Sequence, residues 1–101
     1  MQPIPLEFIE GHYAYTQLTR QGMLAVYQQA HATSRICRYE VVRLRVAAAH
    51  TWPNGTTSPE REVYPGASRW GIDGWTHHTR TAAEAHLARL VAAEEAKHDA
   101  Q

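Results

Sequence analysis

The stretch "ICRYEVVRLRVAAAH", Ile36 to His50, decides the fold. Val42, Leu44 and Val46 alternate onto one side; Tyr39, Val41, Arg43 and Arg45 share the other. A two-residue period is a strand, and a helical period of about 3.6 fits worse. With arginines on one side and aliphatics on the other, the pattern predicts an antiparallel sheet covered on its Val42 side and solvated on its Arg43 side.

Upstream, "HYAYTQLTR" (His12 to Arg20) sets Tyr13, Tyr15 and Gln17 against Ala14, Thr16 and Leu18. "MLAVYQQAH" (Met23 to His31) follows after Gly22, so a hairpin is predicted. Residues 1–10, with prolines at 3 and 5, read as an extended lead-in. Downstream, residues 51–60, "TWPNGTTSPE", read as a flexible loop at the tip of a long hairpin. "REVYP" then gives a short strand that Pro65 stops.

"WGIDGWT" (Trp70 to Thr76) holds two of the three tryptophans. Asp73-Gly74 predicts a two-residue hairpin turn, and Gly71 permits a bulge or a close backbone approach. Trp70, Gly71, Gly74 and Trp75 are therefore expected to form a structural corner, because two indoles are a large part of so small a core. A helix is predicted over 81–98. Thr81 and Glu84 form a capping box with Thr79 as a competing cap, and Ala83, Leu87, Leu90 and Val91 line one side. The whole predicts a single α+β domain over residues 1–101: a meander of about four antiparallel strands, with the helix packed on the Val42, Leu44 and Val46 face.

Composition sets limits on function. The 101 residues carry zero net charge with histidines neutral, which excludes a strongly basic polyanion binder and an acidic DNA mimic. Lys97 is the lone lysine, so the basic chemistry is that of arginine, which favours bidentate and stacking contacts. Cys37 is the single cysteine, so no internal disulfide forms, and a small buried hydrophobe is the expected role. "MQPIPLEFIEG" lacks the pattern of a signal peptide, and no run approaches the ~20 apolar residues of a membrane helix. A cytoplasmic protein with no membrane contact is expected.

Catalytic chemistry finds no support in the motifs. The seven histidines lack metal-ligand spacing: His77 and His78 alternate to opposite faces, and Leu90 stands four residues after His86. No Gly-x-Ser-x-Gly elbow surrounds Ser34, Ser58 or Ser68. Nothing in the spacing of Glu40, Glu62 and Asp73 places two carboxylates across a cleft. "GIDG" lacks the Lys of a phosphate loop. The expectation is a non-enzyme with no metal and no cofactor.

The interleaved Arg and Tyr residues are more suggestive. Arg38, Tyr39, Arg43 and Arg45, with Trp52 at the loop margin, form the candidate binding face. Arg and Tyr are enriched at protein hot spots, which favours a protein partner. An aromatic, Arg-bearing sheet also holds single-stranded nucleic acid in several modules, which is the alternative. The plainest account is cross-strand pairing of Tyr rings with Arg stems. An open edge strand allows either a monomer or a homodimer.

"YEVVRL", "EVYPGASRWGIDGWT" and "TAAEAHLARL", with "GHYAYTQLTRQGMLAVYQQA" before them, resemble a loose group of small proteins from phages, prophages and bacterial mobile elements. The resemblance spans most of the chain. It implies a binding protein that inhibits or modulates a bacterial macromolecular complex, inhibitors of CRISPR–Cas being one prominent class. The group has no catalytic motif to transfer, so no functional residue is carried over.

Overall fold

A computed structural model describes residues 1–99. Its main sheet has five antiparallel strands in the order β1 (Glu7–Glu10), β2 (Tyr13–Gln21), β3 (Leu24–His31), β4 (Cys37–Arg43) and β9 (Gly74–His77). The first four are sequence neighbours joined by short turns. β9 returns to β4 only after a long excursion. Helix α1 (Arg80–Asp99) lies against β3, β4 and β9, which makes the expected α+β architecture.

Part of the predicted lead-in is a strand. Glu7 to Glu10 pair with β2 from Glu7↔Thr16 to Glu10↔Tyr13 and form one edge of the sheet. The prolines stop short of this segment, so its backbone donors remain free to join the ladder. The Ile36–His50 run is not one strand either. It leaves the sheet at Leu44 and continues as β5 (Arg45–Ala47) and β6 (His50–Thr51). These pair with β8 (Arg61–Val63) and β7 (Thr57–Ser58), respectively, in a two-stranded arm outside the main sheet. The stretch expected to be a flexible loop is the hydrogen-bonded tip of this arm. Trp52 N donates to Thr56 O at 2.8 Å, and Asn54 Oδ1 accepts from Thr56 N and Oγ1 at 3.1 and 2.7 Å.

The helix covers the face opposite to the one predicted. Leu24, Val26 and Val41 are fully buried with Ala83 and Leu87, while Leu18, Tyr39, Trp75, Leu90 and Val91 pack around them. Val42 and Leu44 look the other way, into a second core with Ile4, Ala25 and Tyr27; Val46 lies on the arm, 48% exposed. The connection explains the choice. β9 turns Trp75 and His77 toward Val41 and Tyr39, and only two residues separate it from the helix. So short a link returns the helix over the face those side chains occupy.

The helix also starts one residue early and uses the competing cap. Thr79 Oγ1 accepts from Ala82 N at 3.1 Å, whereas Glu84 pairs with Arg80 at 2.8 Å instead of closing a box with Thr81. The tryptophan corner differs in detail from a hairpin. The chain bends through Gly71, at φ 89°, and Gly74 is already the first residue of β9. Gly74 is required for another reason, since a Cβ there would overlap the ring of Trp70. Trp70 and Trp75 sit on opposite faces of the sheet, one in each core.

A bulge in β2 prepares the second face. Gln17 pairs with Tyr27 but Thr19 pairs with Val26, so Leu18 is an extra residue. The side-chain alternation changes there. Tyr15 and Gln17 face the second core, and Arg20, three residues later, faces it too, opposite Ala25. Arg20 thereby reaches the root of the arm and grips Glu62 through two hydrogen bonds of 2.7 and 2.5 Å.

Candidate functional site

The five residues singled out as a binding face do not lie together. Arg43 is half-buried and fully engaged. Its guanidinium donates to Glu94 of α1 at 2.9–3.0 Å and to Asp73 Oδ1 and the Ile72 carbonyl at 3.2 Å each. Tyr39 borders the helix-covered core. Arg38 lies on the other side of β4, with Glu40. Arg45 and Trp52 stand on the arm, both exposed. The alternation placed Arg43 on a solvated face, but that is the face the helix covers.

The arm is the first feature with residues to spare. Arg45 pairs with Val63 and Ala47 with Arg61 at its root, and Gln2 bridges to Arg61 beside it. Glu62 anchors the root. It accepts from Arg20 and from Ile4 N at 3.1 Å, and the Arg20 guanidinium holds its carboxyl down at about 2. Toward the tip the internal partners thin out. Trp52, 51% exposed, touches His50 edge-on at 4.4 Å, and its Nε1 makes a 3.4 Å contact with Ser58. The arm lengthens the molecule: the Cα radius of gyration is 15.3 Å, against about 13 Å for a compact chain of this length.

The second feature lies where the chain comes back from the arm. Tyr64 descends over the open face of the sheet and meets Phe8, Tyr15 and Tyr27 edge-on, with centroids 5.3–5.7 Å apart. Phe8 and Tyr15 stack at 4.8 Å, and Trp70 lies at 6.4 Å on the other side of Tyr64. An open cleft of about 290 Å³ remains, lined by Glu10, Tyr15, Glu40, Tyr64, Pro65 and Trp70.

Glu40 is the floor of this cleft and is 6% exposed. The Tyr64 hydroxyl donates to its Oε1 at 2.5 Å. Thr76, its cross-strand partner on β9, also supports the carboxylate, and itself accepts from Trp70 Nε1 at 3.1 Å. Burial raises the Glu40 pKa above its ordinary value, opposed in part by these donors and by the charge of Arg38. Burial, and then the charge of Glu40, pushes the Tyr64 phenol far above its usual range, so Tyr64 remains a donor. Glu40 has no ion-pair partner among the described residues.

Sequence reasoning passed over this cleft. Its signal was a Glu at the centre of the best apolar strand, since a charge there must be paired or serve a site. Of the other candidate carboxylates, Glu62 belongs to Arg20. Asp73 belongs to Arg69 and Arg43, whose hydrogen bonds hold its pKa below the ordinary value against the effect of burial.

Among the described residues one histidine pair is hydrogen-bonded, His77 Nε2 to His86 Nδ1 at 2.8 Å, beside Trp75. Burial, and then His77, lowers the His86 pKa. No group of three or more His, Cys, Asp or Glu side chains placed to hold a metal ion occurs among the described residues. No described helix is long and apolar enough to cross a membrane. Compared with known proteins, the chain matches no family model, no curated protein and no solved structure.

Proposed function

We propose that this chain is a non-catalytic binding protein that engages a larger bacterial macromolecular complex through its arm. The supporting observation is the arm itself. It is fixed at its root by the Arg20–Glu62 pair, yet it carries Arg45, Val46 and Trp52 outward at its exposed positions. An exposed tryptophan near the tip and an exposed arginine at the root of one two-stranded element are the residue types enriched in interface anchors. The resemblance to phage and mobile-element proteins supplies the setting, in which binding inhibits or modulates the complex; a CRISPR–Cas effector is the first assembly to try.

Arg43 is unsuitable for testing this, because it ties three segments of the fold together. The test is a pull-down from bacterial lysate, with and without nuclease, comparing wild type with Trp52→Ala/Arg45→Glu. A stoichiometric protein partner that survives nuclease, and is lost in the variant at an unchanged melting temperature, supports the proposal. Recovery of nucleic acid alone, weakening steeply with salt, transfers the arm to nucleic-acid binding through Arg45 and Arg61. Equal capture by both proteins removes the arm from the interface.

A further inference from the structure

The cleft beneath Tyr64 stands apart from the arm's exposed tip, and its chemistry is specific. Its floor is a carboxylate that forms no ion pair among the described residues. Arg38, two residues away on the same side of β4, makes no ion pair with it. Two neutral hydroxyls, from Tyr64 and Thr76, support it. They leave acceptor capacity unused, because an ionised carboxylate offers about four lone-pair sites. The walls are the rings of Tyr15, Tyr64 and Trp70, and Glu10 adds a second negative charge among the lining residues.

We propose that this cleft is a binding site for an organic cation, a protonated amine or a guanidinium, whose charge meets Glu40 while its carbon or planar surface lies against Tyr15, Tyr64 and Trp70. Aromatic faces carry the negative end of the ring quadrupole, so they attract a cation that still has apolar surface to bury. An anion would meet Glu40 and Glu10 and be repelled. A divalent metal requires about six oxygen ligands, and aromatic walls do not supply them. The volume of about 290 Å³ suits a head group rather than an extended ligand. Two sources share this chemistry: a free small cation, and the side chain of a lysine or arginine presented by another protein.

The test uses the full chain at constant ionic strength, following the Trp70 indole N–H resonance. The probes are n-butylammonium and methylguanidinium chloride, with n-butanol and methylurea as neutral isosteres. The expected result is a saturable shift with each cation, at least about tenfold weaker for its isostere and about tenfold weaker in Glu40→Gln. Glu10→Gln, an exposed change that leaves the fold alone, is expected to weaken binding by about two- to threefold. It carries the test if Glu40→Gln does not fold. Equal affinity for cation and isostere overturns the proposal, as does unchanged binding in a folded Glu40→Gln or no saturation below about 100 mM. A capped lysine tripeptide then identifies the source. Binding about tenfold tighter than n-butylammonium assigns a partner's side chain, and equal binding assigns a free small cation; both retain the site.

Discussion

The two faces of the sheet are closed by different means, and each closure includes a buried acid. On one face a helix lays aliphatic side chains over Leu24, Val26 and Val41. At the end of that layer Asp73 is 6% exposed and is gripped by Arg69 and Arg43. On the other face no α-helix packs among the described residues. The returning chain supplies Tyr64 and Trp70 over Phe8, Tyr15 and Tyr27, and Glu40, equally buried, meets only hydroxyls. Burial therefore does not separate the two acids; their partners do. A buried carboxylate with its counter-ions inside is a fastener. One whose charge is left unanswered, at the bottom of an open cleft, marks a place for something from outside.

The largest effect expected from breaking this comparison is in the aromatic closure. Trp70→Ala removes the ring that packs on Gly74 and beside Tyr64, and should destabilise the protein by about 3–5 kcal/mol in urea unfolding. A smaller loss would mean that the second face is held mainly by the lead-in and Tyr27.

Next comes Asp73→Asn, which takes the ion-pair partner from Arg69 and leaves Arg43 with Glu94 alone, and should destabilise by about 2–3 kcal/mol near neutral pH. Because Arg69 and Arg43 hold the Asp73 pKa below the ordinary value, its contribution is present above about pH 4 and is lost as the pH falls through the folded pKa. The difference between wild type and variant should therefore shrink in acid.

Glu40→Gln should behave in the opposite sense. Burial raises the folded pKa, so the ionised form opposes folding at higher pH, and wild type recovers stability as the pH drops from that value toward about 4.3. The variant should match or exceed wild type at neutral pH, by up to about 1 kcal/mol, and lose that advantage in acid. Melting curves at several pH values measure both variants. Parallel pH trends for Asp73→Asn and Glu40→Gln would erase the distinction between the acids. The smallest effect is expected from Trp52→Ala, within about 0.5 kcal/mol, since the ring stands on the arm outside both cores.

How much of this was legible in the sequence follows from the range of each signal. β2, β3 and β4 were visible because a two-residue alternation is local, and α1 because alanine propensity and a threonine cap are local. The face covered by the helix was not, because Val41 and Val42 are equally apolar and both sides of β4 are buried. The bulge at Leu18 was hidden for the same reason, since either alternation left a tyrosine or a leucine facing a core. Glu40 and Tyr64 are separated by the entire arm, and no periodicity reports a contact at that distance. What could be read was that a glutamate in the middle of "YEVV" demanded an explanation.

The pairing of Arg45 with Val63 brings the two roots of the arm within one strand spacing, about 5 Å. The chain thus re-enters the body beside the point where it left, and everything from Val46 to Glu62 behaves geometrically as an insert. Such an insert can lengthen, shorten or change its tip from one generation to the next without stretching the sheet, provided the Arg20–Glu62 tie or a substitute remains. This confines such variation to a segment outside both cores, and it makes the Asn54-Gly55 tip the natural place to graft a new loop.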